Sequence, residues 1–163
     1  MLIQTQKIFI SHRGNLFHKI PEKENTLSYI GLAINSGFDC EIDIWKIGNE
    51  FFLGHDEPIY HISLPFLVYY SNVLWIHCKN YEALAHLLTI SNLNVFWHQS
   101  DNYTLTSENY IWTYPNISIP EINNKSIIVL NDPNQINLTK EQLLFGGFCA
   151  DNIALIKRNI IHE

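Results

Sequence analysis

Apolar residues along this chain follow two alternating rhythms. Lys7 to Ser11 (KIFIS) is a short β-branched and aromatic run, which predicts a first strand. Between Thr26 and Ser36 the apolar positions are 27, 30 and 34, with small residues at 31 and 33. That is the spacing of one helix face, and Gly37 follows where a helix C-terminus favours glycine. Phe38 to Trp45 (FDCEIDIW) alternates strictly; Gly48-Asn49 is a turn signal, and Glu50 to Gly54 returns as a hairpin arm. Further strands are predicted at Asn72–Cys78, Asn94–His98, Tyr110–Thr113, Ser126–Leu130 and Phe148–Ala150. Helices are predicted at Tyr81–Ile90, Leu138–Leu144 and Ile153–Ile161.

Strands alternating with helices imply a parallel sheet, and about seven of them in this order suit a barrel better than a small sandwich. The expected fold is α/β: a reduced or irregular (β/α) TIM-like barrel with mostly parallel strands, a single domain over residues 1–163. A full eight-stranded barrel takes about 250 residues. Helices must therefore be missing, and the stretch from Asp101 to Lys125, which has no helical period, is where the trimming is expected.

Composition narrows the partners. With 16% charged residues and a formal net charge of -6, the chain has no basic surface for a nucleic-acid backbone. One phosphate in a pocket is a different matter, because a metal and a few basic side chains suffice. Cys40, Cys78 and Cys149 are odd in number, far apart and set in apolar runs, so they read as reduced core thiols. The N-terminus MLIQTQKIFISHRG lacks the apolar core of a secretion leader, and no apolar run is long enough to span a bilayer. A cytoplasmic protein is expected. Sequons such as Asn116-Ile-Ser118 are then chance matches.

Three short motifs carry chemistry. His12-Arg13-Gly14 stands directly after the first strand, and in an α/β barrel the strand C-termini form the active face. A histidine there can move protons near neutral pH, and an adjacent arginine can grip a phosphate. Glu41 and Asp43 stand two apart on a strand, so both carboxylates share one face, with Asp39 below them. Such a pair repels unless a cation lies between, and hard oxygens at that spacing suit a divalent ion. An ordinary hairpin with a polar outer face would show Lys, Thr and Ser mixed among the acids. His55-Asp56 follows Gly54 at the end of the return arm, level with the carboxylates, and gives the second histidine of an acid–base pair. His98, at a strand end, is read either as lining the same mouth or as structural.

The series His12-Arg13-Gly14, Glu24-Asn25-Thr26, a helix ending at Gly37, Glu41-x-Asp43 and Gly54-His55-Asp56 resembles the glycerophosphodiester phosphodiesterase family of the phospholipase-C-like barrel superfamily. The likeness covers about the first third of the chain. It implies that His12 and His55 are the catalytic acid–base pair, Glu41 and Asp43 hold a metal, Arg13 contacts the phosphate and Asn25 organises the site. The family's third strand ends Glu-x-Lys; here His77-Cys78-Lys79 keeps the lysine for the phosphate and puts His77 in the third ligand position. One divalent metal ion is implied, Mg²⁺, Ca²⁺ or Mn²⁺, shifting to Mn²⁺ or Zn²⁺ if His77 is a ligand. Trp112-Thr113 is similar to a late family strand whose tryptophan lines the substrate pocket. Gly146 to Asp151 resembles the closing strand, with Ala150 in a threonine position.

The implied function is a metal-dependent phosphodiesterase hydrolysing a small glycerophosphodiester-like substrate. In the resembled family the nucleophile can be the substrate's own vicinal hydroxyl. A lyase that stops at the cyclic phosphate and a non-catalytic phosphate-binding barrel are the alternatives. A shortened barrel has fewer loops to enclose a head group, which leaves room for a second copy to complete the pocket in a homo-oligomer.

Overall fold

A computed structural model describes residues 7–115, 117, 119 and 121–162. The start of the stretch read for a leader, and the sequon positions Asn116 and Ser118, lie outside the described residues. The chain forms β1 (Ile8–His12), α1 (Leu27–Asn35), β2 (Asp39–Ile47), β3 (Glu50–Leu53), β4 (Tyr60–Ile62), α2 (Leu64–Tyr69), β5 (Leu74–Cys78) and α3 (Tyr81–Leu87). It continues with β6 (Asn94–Phe96), β7 (Tyr103–Leu105), β8 (Ile111–Thr113), β9 (Ser126–Leu130), a single 3-10 turn at Gln142–Leu144, β10 (Gly147–Ala150) and α4 (Ile153–His162). The helix starts follow capping chemistry. Thr26, Ser63 and Asn80 each accept a backbone N–H from the first turn of α1, α2 and α3.

The expected TIM-like barrel with mostly parallel strands is not what forms. The sheet is mixed: it runs β4-β3-β2-β1-β10-β9-β8-β7, with β5 on β2 and β6 on β5. Ladders β2–β3, β3–β4 and β7–β8 are antiparallel. Among the described residues no ladder joins β6 to β7 or β8, so the sheet curls as a half-barrel and stays open. Among the described residues four α-helices accompany it. The physical reason lies in the connections. Between β6 and β8 the chain spends its length on the β7 hairpin, and between β9 and β10 it makes one 3-10 turn where Leu138–Leu144 was expected to be a helix. The free edge of β6 is met by Ser107: its N–H donates to Val95 O, and its hydroxyl accepts Val95 N–H and donates to Leu93 O.

Strand alternation sorts the side chains onto two faces. The convex face, with Ile42, Ile44, Ile76 and Phe148, packs against Ile30 and Ala33 of α1, Leu67 of α2, Ala83 and Leu87 of α3, and Ile153 and Ile156 of α4. The concave face carries a second cluster of Ile10, Trp75, Phe96, Trp112, Ile127, Val129 and Cys149. Tyr69 and Tyr81 are exposed. All three cysteines are buried and unpaired with one another. No helix among the described residues is long and apolar enough to cross a membrane.

The long strand β2 positions the site. The Glu41 carbonyl accepts Arg13 N–H at 3.0 Å, and the Asp43 carbonyl accepts Gly54 N–H at 3.2 Å. These carbonyls lie two residues apart, so they share one edge of β2. Where β1 ends, the return arm β3 takes up that same edge, and it delivers His55 beside the end of β1.

Candidate functional site

The C-terminal ends of the parallel strands open onto a cavity of about 380 Å³. His12, Arg13, Glu41, His55, His77, Lys79 and Trp112 line it, together with Phe96, His98, Gln99, Tyr114, Val129 and Asn131. Asp43 and Asn25 sit just behind that lining, buried. Arg13 and Asn25 both have positive φ, 54° and 60°, in the sharp loops that bring them inward. Two glycines in the motifs are required by space. A Cβ on Gly14 (φ 92°) would come within 2.9 Å of the Tyr29 ring, and one on Gly54 (φ 149°) would collide with the Glu57 carbonyl.

Asp43 is the hub. Its Oδ2 accepts Asn25 Nδ2 at 3.0 Å, while its own N–H donates to Asn25 Oδ1 at 3.0 Å. Arg13 Nε lies 2.8 Å from the same Oδ2, an ion pair whose angle is not that of a hydrogen bond. Arg13 Nη1 donates to Glu24 Oε2 at 3.2 Å, so Nη2 is the guanidinium nitrogen left for an anion. Asp43 Oδ1 faces His77 Nδ1 at 3.0 Å and Lys79 Nζ at 3.6 Å. Burial alone would push the Asp43 pKa up; the His77 contact and the charges of Arg13, His77 and Lys79 outweigh it and hold the carboxyl well below its usual range. Glu41 goes the other way. Burial and the Asp43 charge raise its pKa against the pull of His12, Arg13 and His77.

His77 stands where both carboxylates can be reached, with Nδ1 3.7 Å from Glu41 Oε1. Its Nε2–H donates to the His98 carbonyl at 2.8 Å. That bond fixes a proton on Nε2 and leaves Nδ1 facing the acids, where a protonated ring donates to Asp43 and a neutral ring offers its lone pair to a metal ion. Glu41, Asp43 and His77 each offer one ligand atom, all within 4.8 Å of one another. Two carboxylate oxygens, Glu41 Oε2 and Asp43 Oδ1, are buried without a hydrogen-bond partner. Two hard oxygens and one imidazole nitrogen fit a divalent ion, with Mn²⁺ and Zn²⁺ favoured by the nitrogen.

The two motif histidines are held differently. His12 Nδ1–H donates to Asp151 Oδ1 at 2.8 Å, and Asn15 Nδ2 bridges that same oxygen, at 2.9 Å, to Glu24 Oε1 at 2.8 Å. His12 Nε2 is 3.9 Å from Glu41 Oε2. Burial lowers the His12 pKa, but Asp151 and Glu41 overcome it and raise the net value. His55 is more exposed, and its Nδ1–H donates to Asp56 at 2.7 Å. Burial and the Arg13 charge lower its pKa, and Lys79 adds to that against Asp43 and Asp56. Asp39, the third acid of the β2 row, is not part of this mouth. It lies at the opposite end of the sheet, accepts Trp75 Nε1–H at 2.9 Å, and burial pushes its pKa up to about 6.

Several residues at the site carry no signal in the motif series. Asp151, Gln99 and Asn131 each stand just beyond a parallel strand, and strand-end position was the signal that could have found them. Asn15 lies in the loop after Gly14, and only the fold links it to Asp151. No protein-family model, no curated protein and no solved structure matches the chain.

Proposed function

We propose that this protein is a metal-dependent phosphodiesterase acting on a small phosphodiester, the reaction implied by its likeness to glycerophosphodiester phosphodiesterases. One observation carries the reading: two anchored histidines, a buried carboxylate pair with His77, and two cations, Arg13 and Lys79, surround a single cavity. Lys79 and Arg13 Nη2 hold the phosphate anion against the end of β5 and the loop after β1. Glu41, Asp43 and His77 are the residues that would hold the metal ion, which when bound supplies neutralisation of charge on the phosphoryl oxygens. Asp151 fixes the His12 ring with Nε2 toward the cavity, and Asp56 does the same for His55. Their pKa values are pushed apart, His12 up and His55 down, which makes His12 the proton donor and His55 the acceptor. His55 takes the proton of the attacking hydroxyl, from water or from the substrate itself. His12 returns a proton to the departing alkoxide. Buried, unpaired cysteines support a reducing, cytoplasmic setting.

The test is turnover of metal-stripped protein on glycerophosphocholine and bis(p-nitrophenyl) phosphate, titrated with Mg²⁺, Ca²⁺, Mn²⁺ and Zn²⁺. Metal-dependent turnover is expected. His12→Ala and His55→Ala are each expected to reduce it by about 10²-fold or more with folding intact. Phosphorus NMR of the product separates hydrolysis from cyclisation. A second reading, phosphate binding without turnover, is favoured by one contact set: Arg13 and Lys79 both reach Asp43, so the chain itself offsets part of the buried charge. Inactivity of folded protein with every metal, together with retained phosphate binding, would select it.

A further inference from the structure

His12 and Arg13 are neighbours in sequence, yet the backbone does not lock their side chains together. His12 ends β1, and Arg13 turns away with φ 54°. What joins them is a run of hydrogen bonds through the interior. His12 Nδ1–H donates to Asp151 Oδ1 at 2.8 Å, and Arg13 Nη1 donates to Glu24 Oε2 at 3.2 Å. Between the two acids stands Asn15, with no exposed surface. Its Nδ2 donates to Asp151 Oδ1 at 2.9 Å and to Glu24 Oε1 at 2.8 Å, and its Oδ1 accepts Ile20 N–H at 3.1 Å. These partners fix which end of the amide is nitrogen.

An amide nitrogen carries two hydrogens, and here each goes to a different carboxylate. Asn15 therefore has no donor left for a substrate, and it lies behind the cavity lining. Two carboxylates brought together without a donor would repel. The amide gives each one a donor without adding a positive charge, so Asp151 keeps its charge for His12 and Glu24 keeps its charge for Arg13. The reaction needs the two ends in register. His12 gives its proton to the oxygen leaving the same phosphorus whose anionic oxygens Arg13 holds, and a misplacement of about 1 Å costs on the order of 10²-fold in rate. We propose that Asn15 is a positioning residue that holds the proton donor His12 in register with the phosphate-binding Arg13. The assignment rests on the phosphodiester reading above.

Steady-state kinetics of the full chain on glycerophosphocholine in Mn²⁺ buffer test it, with inorganic phosphate as a competitive inhibitor and a Tm for each variant. Asn15→Ala is expected to lower kcat by about tenfold or more and to raise the Ki of phosphate by about threefold or more, although Asn15 touches neither the transferred proton nor the anion. Asn15→Asp keeps the volume and an acceptor for Ile20 N–H but turns an oxygen, not a donor, toward the two acids. It is expected to lose on both constants as well. A role in folding alone would lower the Tm and leave kcat and Ki of the folded variants at wild-type values, and that result overturns the assignment. So does a change in only one of the two constants, which ties Asn15 to one acid alone. Failure of both variants to fold makes Asn15 a residue of the fold and also overturns it. A folded wild type without turnover in Mg²⁺, Ca²⁺, Mn²⁺ or Zn²⁺ overturns the phosphodiester reading itself, and the positioning role with it.

Discussion

His12 owes its state to a residue 139 positions away. Asp151 accepts its Nδ1–H, and Asn15 braces the carboxylate. Removing the Asp151 charge deletes two contributions that raise the His12 pKa and leaves Glu41 alone to raise it against burial and Arg13. Asp151→Asn is therefore expected to move the alkaline limb of the kcat/KM profile to lower pH and to reduce kcat on the order of 10²-fold, with the acidic limb set by His55 in place. A profile shifted at both limbs would place Asp151 elsewhere in the mechanism. Asp39 gives a stability counterpart. Its folded pKa, about 6, lies above the 3.8 of a free aspartate. Between those values the folded chain holds the proton and the unfolded chain does not, so stability falls as pH rises through the window and the penalty is complete above it. Asp39→Asn keeps an oxygen for Trp75 and removes the charge. It is expected to raise the Tm at pH 7.5, by up to about 3 kcal/mol of stability, and to change little at pH 4. At this scale the sequence was most legible where residues are close: the histidine-arginine-glycine loop, the alternate acids of β2 and the glycine-histidine turn. Asp151 is marked only by its place after a strand, and Asn15 depends on a distant contact that no local pattern announces.

Among the elements, α1, the β2–β3 hairpin, α3 and α4 follow their periodicity and caps to within a few residues. Misses have identifiable causes. Helix α2 hid inside the apolar run from Leu64 to Cys78, although Ser63 at its cap and Pro65 in its first turn are helix-start signals. Strand β7 leaves Tyr103 and Leu105 exposed, so no buried face marked it in the sequence. Its hairpin matters because the following residue pair closes the edge of β6. Ser107 supplies bonds to Leu93 and Val95 that a neighbouring strand would otherwise make. Ser107→Ala strips the hydroxyl and leaves Val95 N–H and Leu93 O without that partner. A loss of about 1–3 kcal/mol is expected, read as a lower denaturant midpoint, with hydrogen exchange accelerated at Val95. An unchanged midpoint would mean that the β6 edge is solvated and needs no closure.

At the scale of the molecule, alternation of strands and helices led to the expectation of a barrel of mostly parallel strands, whereas the sheet is mixed and open. Closure turns on β6 being three residues long and on the β7 hairpin that follows it in place of a helix. The half-barrel still gathers Glu41, Asp43 and His77 at one mouth, and this arrangement has a global cost. Glu41 is buried with Oε2 unpaired, and its raised pKa says that its charge is unwelcome in the fold. Asp43 has the opposite character, since Asn25, Arg13, His77 and Lys79 all lean on it. A bound divalent ion converts the Glu41 burden into a ligand bond, and binding to the folded state alone adds about 2.7 kcal/mol at a hundredfold excess over Kd. For a chain of this size that is a rise of roughly 5–10 °C in Tm. Glu41→Gln separates the two effects. Without metal it is expected to melt at or above the wild-type temperature, because a repelled carboxylate is gone; with Mn²⁺ the rise expected of the wild type should disappear. Asp43→Ala, which orphans four cationic or hydrogen-bonding partners, is expected to melt lower in either buffer. A wild type whose Tm does not respond to Mg²⁺, Ca²⁺, Mn²⁺ or Zn²⁺ would remove the metal from this site and leave Arg13, Lys79 and the neighbouring His12 and His77 to offset the acid pair.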